Sequence, residues 1–308
     1  MNIIRMSGGI GNQMFQYALY LKLVSMGKAV KFDDVTEYAL ENARPVMLWV
    51  FGIDYPKASR EEVIAWTDAA PDFVSRVRRR LFGRKSKEYH ERSFDYDGDV
   101  LGKEDAYLCG CFQSERYFKD VEDAVREAFR FRRMEIPEGI QRQVLEYERQ
   151  IGQGESVSIH IRRGDYLEAE QVYGGICTEA YYNRAVSYML EKYPAAHFWI
   201  FTNDEAWAQA WRRKMDDLED GRFRGRFHVV RGTSEETGYI DLMLMGKCRH
   251  HIIANSSFSW WGAWLNPSEE KCVIAPARWL NTWECQDIFT EGMVRVDAQG
   301  RVKGRGKT

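Results

Sequence analysis

Short apolar runs rich in β-branched and aromatic residues recur along the chain, separated by longer stretches whose apolar positions return every three or four residues. That alternation predicts strands joined by crossover helices, the pattern of a parallel α/β sheet. In the first half, residues 2–6, 29–33 and 106–112 read as strands and 12–26 as a helix closed by Gly27. Residues 38–99 are less regular, with helices expected near Glu61 and Pro71. A helical pattern at 138–150 runs into Ile151-Gly152-Gln153-Gly154-Glu155, which reads as a linker. A second series follows, with strands at 157–161, 197–202, 227–230, 251–254 and 272–275 and helices at 179–192, 206–215, 237–247 and 258–265. The expected division is one Rossmann-like domain over 1–150, another over 151–296, and a loose polar tail over 297–308.

Composition fits that division. A chain of 308 residues suits two α/β domains, and 44% hydrophobic with 29% charged content excludes disorder. The net charge of -2 points to no polyanionic partner, and no nucleic acid is expected. The arginine-rich run Arg76–Arg80 reads as the solvated face of a short helix. The chain runs from Met1 almost directly into a glycine loop, and no apolar run approaches the roughly 20 residues that span a bilayer. No signal peptide or membrane span is therefore expected, and the location reads as cytoplasmic. The six cysteines form no CxxC pair and no zinc spacing, so reduced thiols packing as small hydrophobes are expected.

Three segments carry candidate chemistry. Gly8-Gly9-Ile10-Gly11-Asn12 lies between a strand and a helix, where backbone amides can meet a ligand or glycines can simply make a tight turn. It is not a dinucleotide fingerprint, because Met14 stands where the third glycine belongs. Ser158 to Tyr166 places His160 and Arg162 on one face of a strand end before a turn at Gly164. An arginine beyond a strand's carboxyl end offers a rigid fork to a phosphate, or it pairs with an aspartate to pin the turn. His251 to Gly262 runs from a buried strand into a serine-rich helix start, which suits either an anion site or an ordinary capped helix over core tryptophans.

The strings GGIGNQMFQYA at 8–18, GCFQSERYF at 110–118, HIRRGDY at 160–166, FTND at 201–204 and ANSSFSWWGAWL at 254–265 together resemble glycosyltransferase family 11, the α-1,2-fucosyltransferases. The resemblance covers nearly the whole chain. It implies a GT-B arrangement, two Rossmann-like domains facing across a cleft, and inverting transfer of L-fucose from GDP-β-L-fucose to the 2-hydroxyl of a galactose, as at the end of an oligosaccharide such as lactose. By that similarity Arg162 holds the β-phosphate, His160 and Asp241 approach the guanine, and Asn255, Ser256, Ser257, Phe258 and Ser259 close around phosphates and base. Animal members carry a membrane stem that has no counterpart here, which aligns this chain with the bacterial-looking members.

An inverting displacement needs a stabilised leaving group, a held acceptor and a base. Arg162 and the helix start answer the first need without a metal cofactor, and Asp95-Tyr96-Asp97 reads as a hydrophilic turn rather than a metal motif. Asp165, beside the arginine, is the first candidate base, with Asp33 and Asp34 as alternatives. Asn12, Gln13 and Gln113 are expected to give the acceptor amide contacts, and Phe112 or Tyr173 an aromatic face. Two competing readings remain: a GT-B transferase using another nucleotide sugar, and a non-catalytic carbohydrate-binding protein.

Overall fold

The computed structural model describes residues 1–40, 44–132, 134–217 and 221–305, which divide into two compact units, Met1–Arg133 and Met134–Thr308. In the first unit β1 (Asn2–Arg5) leads into α1 (Ile10–Ser25) and β2 (Val30–Asp33). Then come α2 (Arg60–Thr67), α3 (Phe73–Phe82), β3 (Glu88–His90), α4 (Asp99–Gly102), β4 (Tyr107–Cys109) and α5 (Glu122–Ala128). The strands form one parallel sheet in the order β2-β1-β4-β3. Ser59 and Glu62 build a capping box that starts α2, whose Val63 and Trp66 pack on Ile3, Tyr107 and Cys109 of the sheet.

The second unit opens with α6 (Glu138–Ile151), followed by β5 (Ser156–Ile161), α7 (Gly164–Glu168), α8 (Glu170–Tyr173), α9 (Glu179–Lys192) and β6 (His197–Thr202). The chain continues through α10 (Glu205–Asp216), β7 (Phe227–Val229), α11 (Gly238–Lys247), β8 (His250–Ile252), α12 (Ser257–Leu265), β9 (Val273–Pro276), β10 (Val294–Val296) and β11 (Val302–Arg305). The sheet order is β11-β10-β9-β8-β5-β6-β7, parallel except for the β10–β11 hairpin. Every residue of β5 is buried, as expected of a central strand covered on both faces. Tyr181, Val186 and Met189 of α9 and Trp211 of α10 pack on this sheet.

Two parallel α/β sheets bear out the expected Rossmann-like class, but the division falls near residue 133, not 150. Helix α6 belongs to the second unit: Val144 and Ile151 are buried there, Tyr147 accepts from the Arg231 amide, and Glu148 pairs with Lys247 of α11. A glycine-rich linker signal thus marks a loop inside a domain. The expected loose tail is corrected as well. Asp297 accepts from the Gln299 and Arg301 amides and pairs with Arg301 and Lys303, folding 297–305 into the hairpin that closes the sheet. Residues 306–308 lie outside the described residues.

Candidate active site

From β5 the chain builds β6 and β7 outward on one side, then crosses back to place β8, β9 and β10 on the other. The reversal lies between β5 and β8, whose parallel register pairs Val157 with His250 and Ile159 with Ile252. A crevice opens beyond the carboxyl ends of strands at such a switch point, and ligands of open α/β sheets bind there. The two chemistry-bearing segments after β5 and β8 are therefore neighbours in space. His160, the penultimate residue of β5, is buried with its ring 5.5 Å from that of Phe258, in the first turn of α12.

The crevice is braced from behind. Tyr182 of α9 donates to the His160 carbonyl at 3.0 Å and Tyr181 to the Ile253 carbonyl at 2.6 Å. Arg163 is drawn aside: its amide donates to Asn203 Oδ1 at 2.9 Å, and its guanidinium pairs with Asp204 at 3.1 Å and lies over Trp207. An Arg–Asp ion pair thus pins this turn through Arg163. The Arg162 guanidinium lies 5.8 Å over the ring of Tyr166, whose hydroxyl donates to the Asn255 carbonyl at 2.9 Å. Gly164 is required by close approach, since a Cβ there would stand 2.6 Å from Asn203 Nδ2.

Helix α12 begins at Ser256 with no side-chain cap and no acidic residue in its first turn. Its amino end, with the positive end of the helix dipole, follows β8, the neighbour of the strand that leads to Arg162. Ser257 and Phe258 are half-buried, and Ser256 is nearly buried. Asn255 and Ser259 require correction. Asn255 donates to the Trp279 carbonyl and accepts from the Cys177 thiol, while the Ser259 hydroxyl turns back to the Ala254 and Ser256 carbonyls. Both side chains shape the loop from within instead of facing a ligand. A cavity of about 270 Å³ is lined by Ala277–Gln286, after β9, and the carbonyl of one lining residue, Trp279, accepts from Asn255.

Asp241 sits in the first turn of α11, one turn past Gly238, where a Cβ would touch the Phe258 ring at 3.9 Å. The residue is half-buried, but its Oδ1 is fully so and has no hydrogen-bond partner among the described residues. Burial raises its pKa to about 7, against a smaller lowering by a hydrogen bond from Thr233. A buried acceptor without a donor costs free energy, so this carboxyl is poised to receive N–H groups from outside the fold. Tyr173 is stacked on Tyr166 at 4.4 Å, and the side chain of Asp165 lies outside the described residues.

In the first unit Gly8 takes φ 71°, so the glycine turn is real. Gln13 does not face a ligand: it is buried, donates to the Gly8 and Pro45 carbonyls and the Tyr38 hydroxyl, and accepts from the Met47 amide. The Phe112 ring is also buried, edge-on to Tyr117, and offers no face to a sugar. Asn12 and Gln113 do meet, at 2.9 Å. Asp33 is unavailable as a base. Burial raises its pKa, but hydrogen bonds from Thr36, Tyr107 and Val35 outweigh that and leave it lowered. Asp34 is tied to Lys57 and Tyr55.

Sequence reasoning missed Glu91, which accepts from the Cys111 and Phe112 amides and so fixes the loop carrying Gln113. Its pKa is raised to about 7 by burial, which outweighs those two bonds. It also missed that Glu88, His90 and Cys109 bring ligand atoms within 4.8 Å across paired strands, a proximity no linear spacing encodes. Glu88 is paired there with Arg84, and burial raises the Cys109 thiol to about 11, which makes it a poor metal ligand.

An arginine at a strand end, an uncapped helix start and a buried acceptor gather at the sheet's switch point, the place where α/β enzymes commonly hold anionic ligands. The family follows from similarity: the glycosyl transferase family 11 model matches residues 85–294, and the chain belongs to that family of glycosyltransferases. An α-1,2-colitosyltransferase from Escherichia coli is 31% identical over 96% of this chain and 98% of its own. A galactoside α-(1,2)-fucosyltransferase 1 from Saimiri sciureus is 25% identical over 84% of this chain and 63% of its own. The solved NodZ α-1,6-fucosyltransferase aligns over 86% of this chain and 92% of its own, with a TM-score of 0.46 and 15% identity, too remote to carry weight.

Proposed function

We propose that this glycosyltransferase moves L-fucose from GDP-β-L-fucose, with inversion, to the 2-hydroxyl of a galactose at the end of an oligosaccharide such as lactose. The observation that carries the reading is the adjacency of Arg162 and the α12 amino end at the β5–β8 reversal. Negative charge developing on the departing GDP meets a guanidinium and aligned amides that need no reorganisation. The same positive groups do the work a metal ion would otherwise do, so the transfer is proposed to run without one. Asp241, ionised on binding, accepts the paired N–H donors of the guanine edge, beside His160 and Phe258. Asp165 is proposed as the base, and the Asn12–Gln113 amide pair as an acceptor contact.

The colitosyltransferase relative favours a second reading in which the transferred sugar is colitose, which lacks the 3-hydroxyl of fucose. Incubation with GDP-fucose or GDP-colitose and a panel of lactose, lacto-N-biose and N-acetyllactosamine, with linkage read by NMR, separates the two. An α-1,2 product from GDP-fucose is expected. Product from GDP-colitose alone selects the second reading, and protection from thermal unfolding by UDP but not GDP removes both.

A further inference from the structure

We infer that α3 is a docking element for an anionic membrane surface. This helix, Phe73–Phe82, has no buried residue. Phe73, Val74, Val77 and Leu81 fall within one arc at 100° per residue, while Phe82 lies outside that arc at the helix end. Phe73, Val74, Leu81 and Phe82 are 72%, 74%, 69% and 73% exposed.

The helix is inverted relative to ordinary packing: its polar side faces the protein. Arg79 donates to the Asp68 and Ala70 carbonyls at 3.0 and 2.7 Å, Arg78 pairs with the Asp68 carboxylate, and Asp72 caps the helix by accepting from the Ser75 amide. Ser75, Arg78 and Arg79 are the helix's half-buried residues. Arg76 and Arg80 border the apolar arc, and their guanidinium groups have no hydrogen bond or ion pair among the described residues. From 73 to 87 the chain carries Arg76, Arg78, Arg79, Arg80, Arg84, Lys85 and Lys87 and no acidic residue, although its net charge is -2.

An apolar stripe edged by arginine suits the boundary between acyl chains and anionic headgroups. A second copy seated face to face on the stripe would oppose Arg76 and Arg80 to their own counterparts, whereas anionic lipid complements them. Helix α3 contains none of the residues placed in the proposed transfer site, so an active transferase that stays off membranes would refute this inference and leave the proposed reaction intact.

Co-sedimentation of the full chain with vesicles of phosphatidylcholine, alone or mixed with phosphatidylglycerol, tests it. Binding is expected to the mixed vesicles only and is expected to fall with salt. Arg76→Gln/Arg80→Gln, which leaves the apolar stripe intact, should weaken binding roughly 25-fold, about fivefold for each charge. Val77→Glu/Leu81→Glu should lower it by tenfold or more, with the circular-dichroism melt and turnover of a soluble acceptor unchanged. No sedimentation with mixed vesicles, equal binding to neutral ones, or unchanged binding by the arginine variant would overturn the inference. A dimer in light scattering that Val77→Glu/Leu81→Glu dissociates, without vesicle binding, would reassign the face to a second copy.

Discussion

Replacing Asp241 by asparagine should make the protein more stable and a worse nucleotide binder, and the size of each effect follows from where the carboxyl sits. Its pKa lies near 7 in the fold against an ordinary 3.8, chiefly because burial disfavours the charge. A group whose folded pKa is raised contributes stability that is complete below its unfolded value and is lost as pH rises through the folded one. At 1.36 kcal/mol for each tenfold, the interval corresponds to about 4 kcal/mol withheld above pH 7, and water reaching a half-buried residue reduces the expected gain to about 2 kcal/mol. Urea unfolding of Asp241→Asn should therefore show a gain of about that size at pH 8 and less than half of it at pH 5. GDP affinity, measured by titration calorimetry, should fall about 100-fold, since two hydrogen bonds to a charged acceptor are worth about 3 kcal/mol. Wild-type affinity should also rise more steeply than the variant's between pH 6 and 8. Unchanged GDP binding, or a stability gain independent of pH, would refute the reasoning.

Arg162→Ala should lower kcat by about 10²- to 10³-fold while leaving the thermal melt in place, and normal turnover would contradict the phosphate role. Gly164→Ala should cost about 1–2 kcal/mol in chemical denaturation and slow turnover, because its Cβ would push Asn203 off the Arg163 amide. A variant as stable and active as wild type would show that the turn tolerates the shift. Exhaustive chelation should leave transfer intact, and a reproducible manganese requirement in the same assay would contradict the metal-free mechanism.

The long elements of the second unit were legible because each is a strongly periodic run: 179–192 and 197–202 were expected with the bounds that α9 and β6 show. The short strands β3, β10 and β11 were not, since three or four residues carry too little period to stand out and are held by their neighbours. At the candidate site, residue type and position at a strand end drew attention to His160 and Arg162, and the serine-rich string to the α12 start. What the sequence could not reveal is which side chains are already engaged. Gln13 and Asn255 have the chemistry of sugar and nucleotide contacts, yet their amides are taken up by backbone groups distant along the chain. The same blindness hid Glu91, whose partners lie 20 and 21 residues away. The Arg76–Arg80 run showed its charge but not its orientation. Only the anchoring of Arg78 and Arg79 to the stretch 68–70 shows that the apolar side faces outward.

A crystal structure of the chain with GDP tests the central claim most directly. The diphosphate is predicted within hydrogen-bond reach of the Arg162 guanidinium and the Ser257–Ser259 amides, with the guanine edge on Asp241. GDP bound in the first unit, or elsewhere on the second with Arg162 untouched, would contradict it.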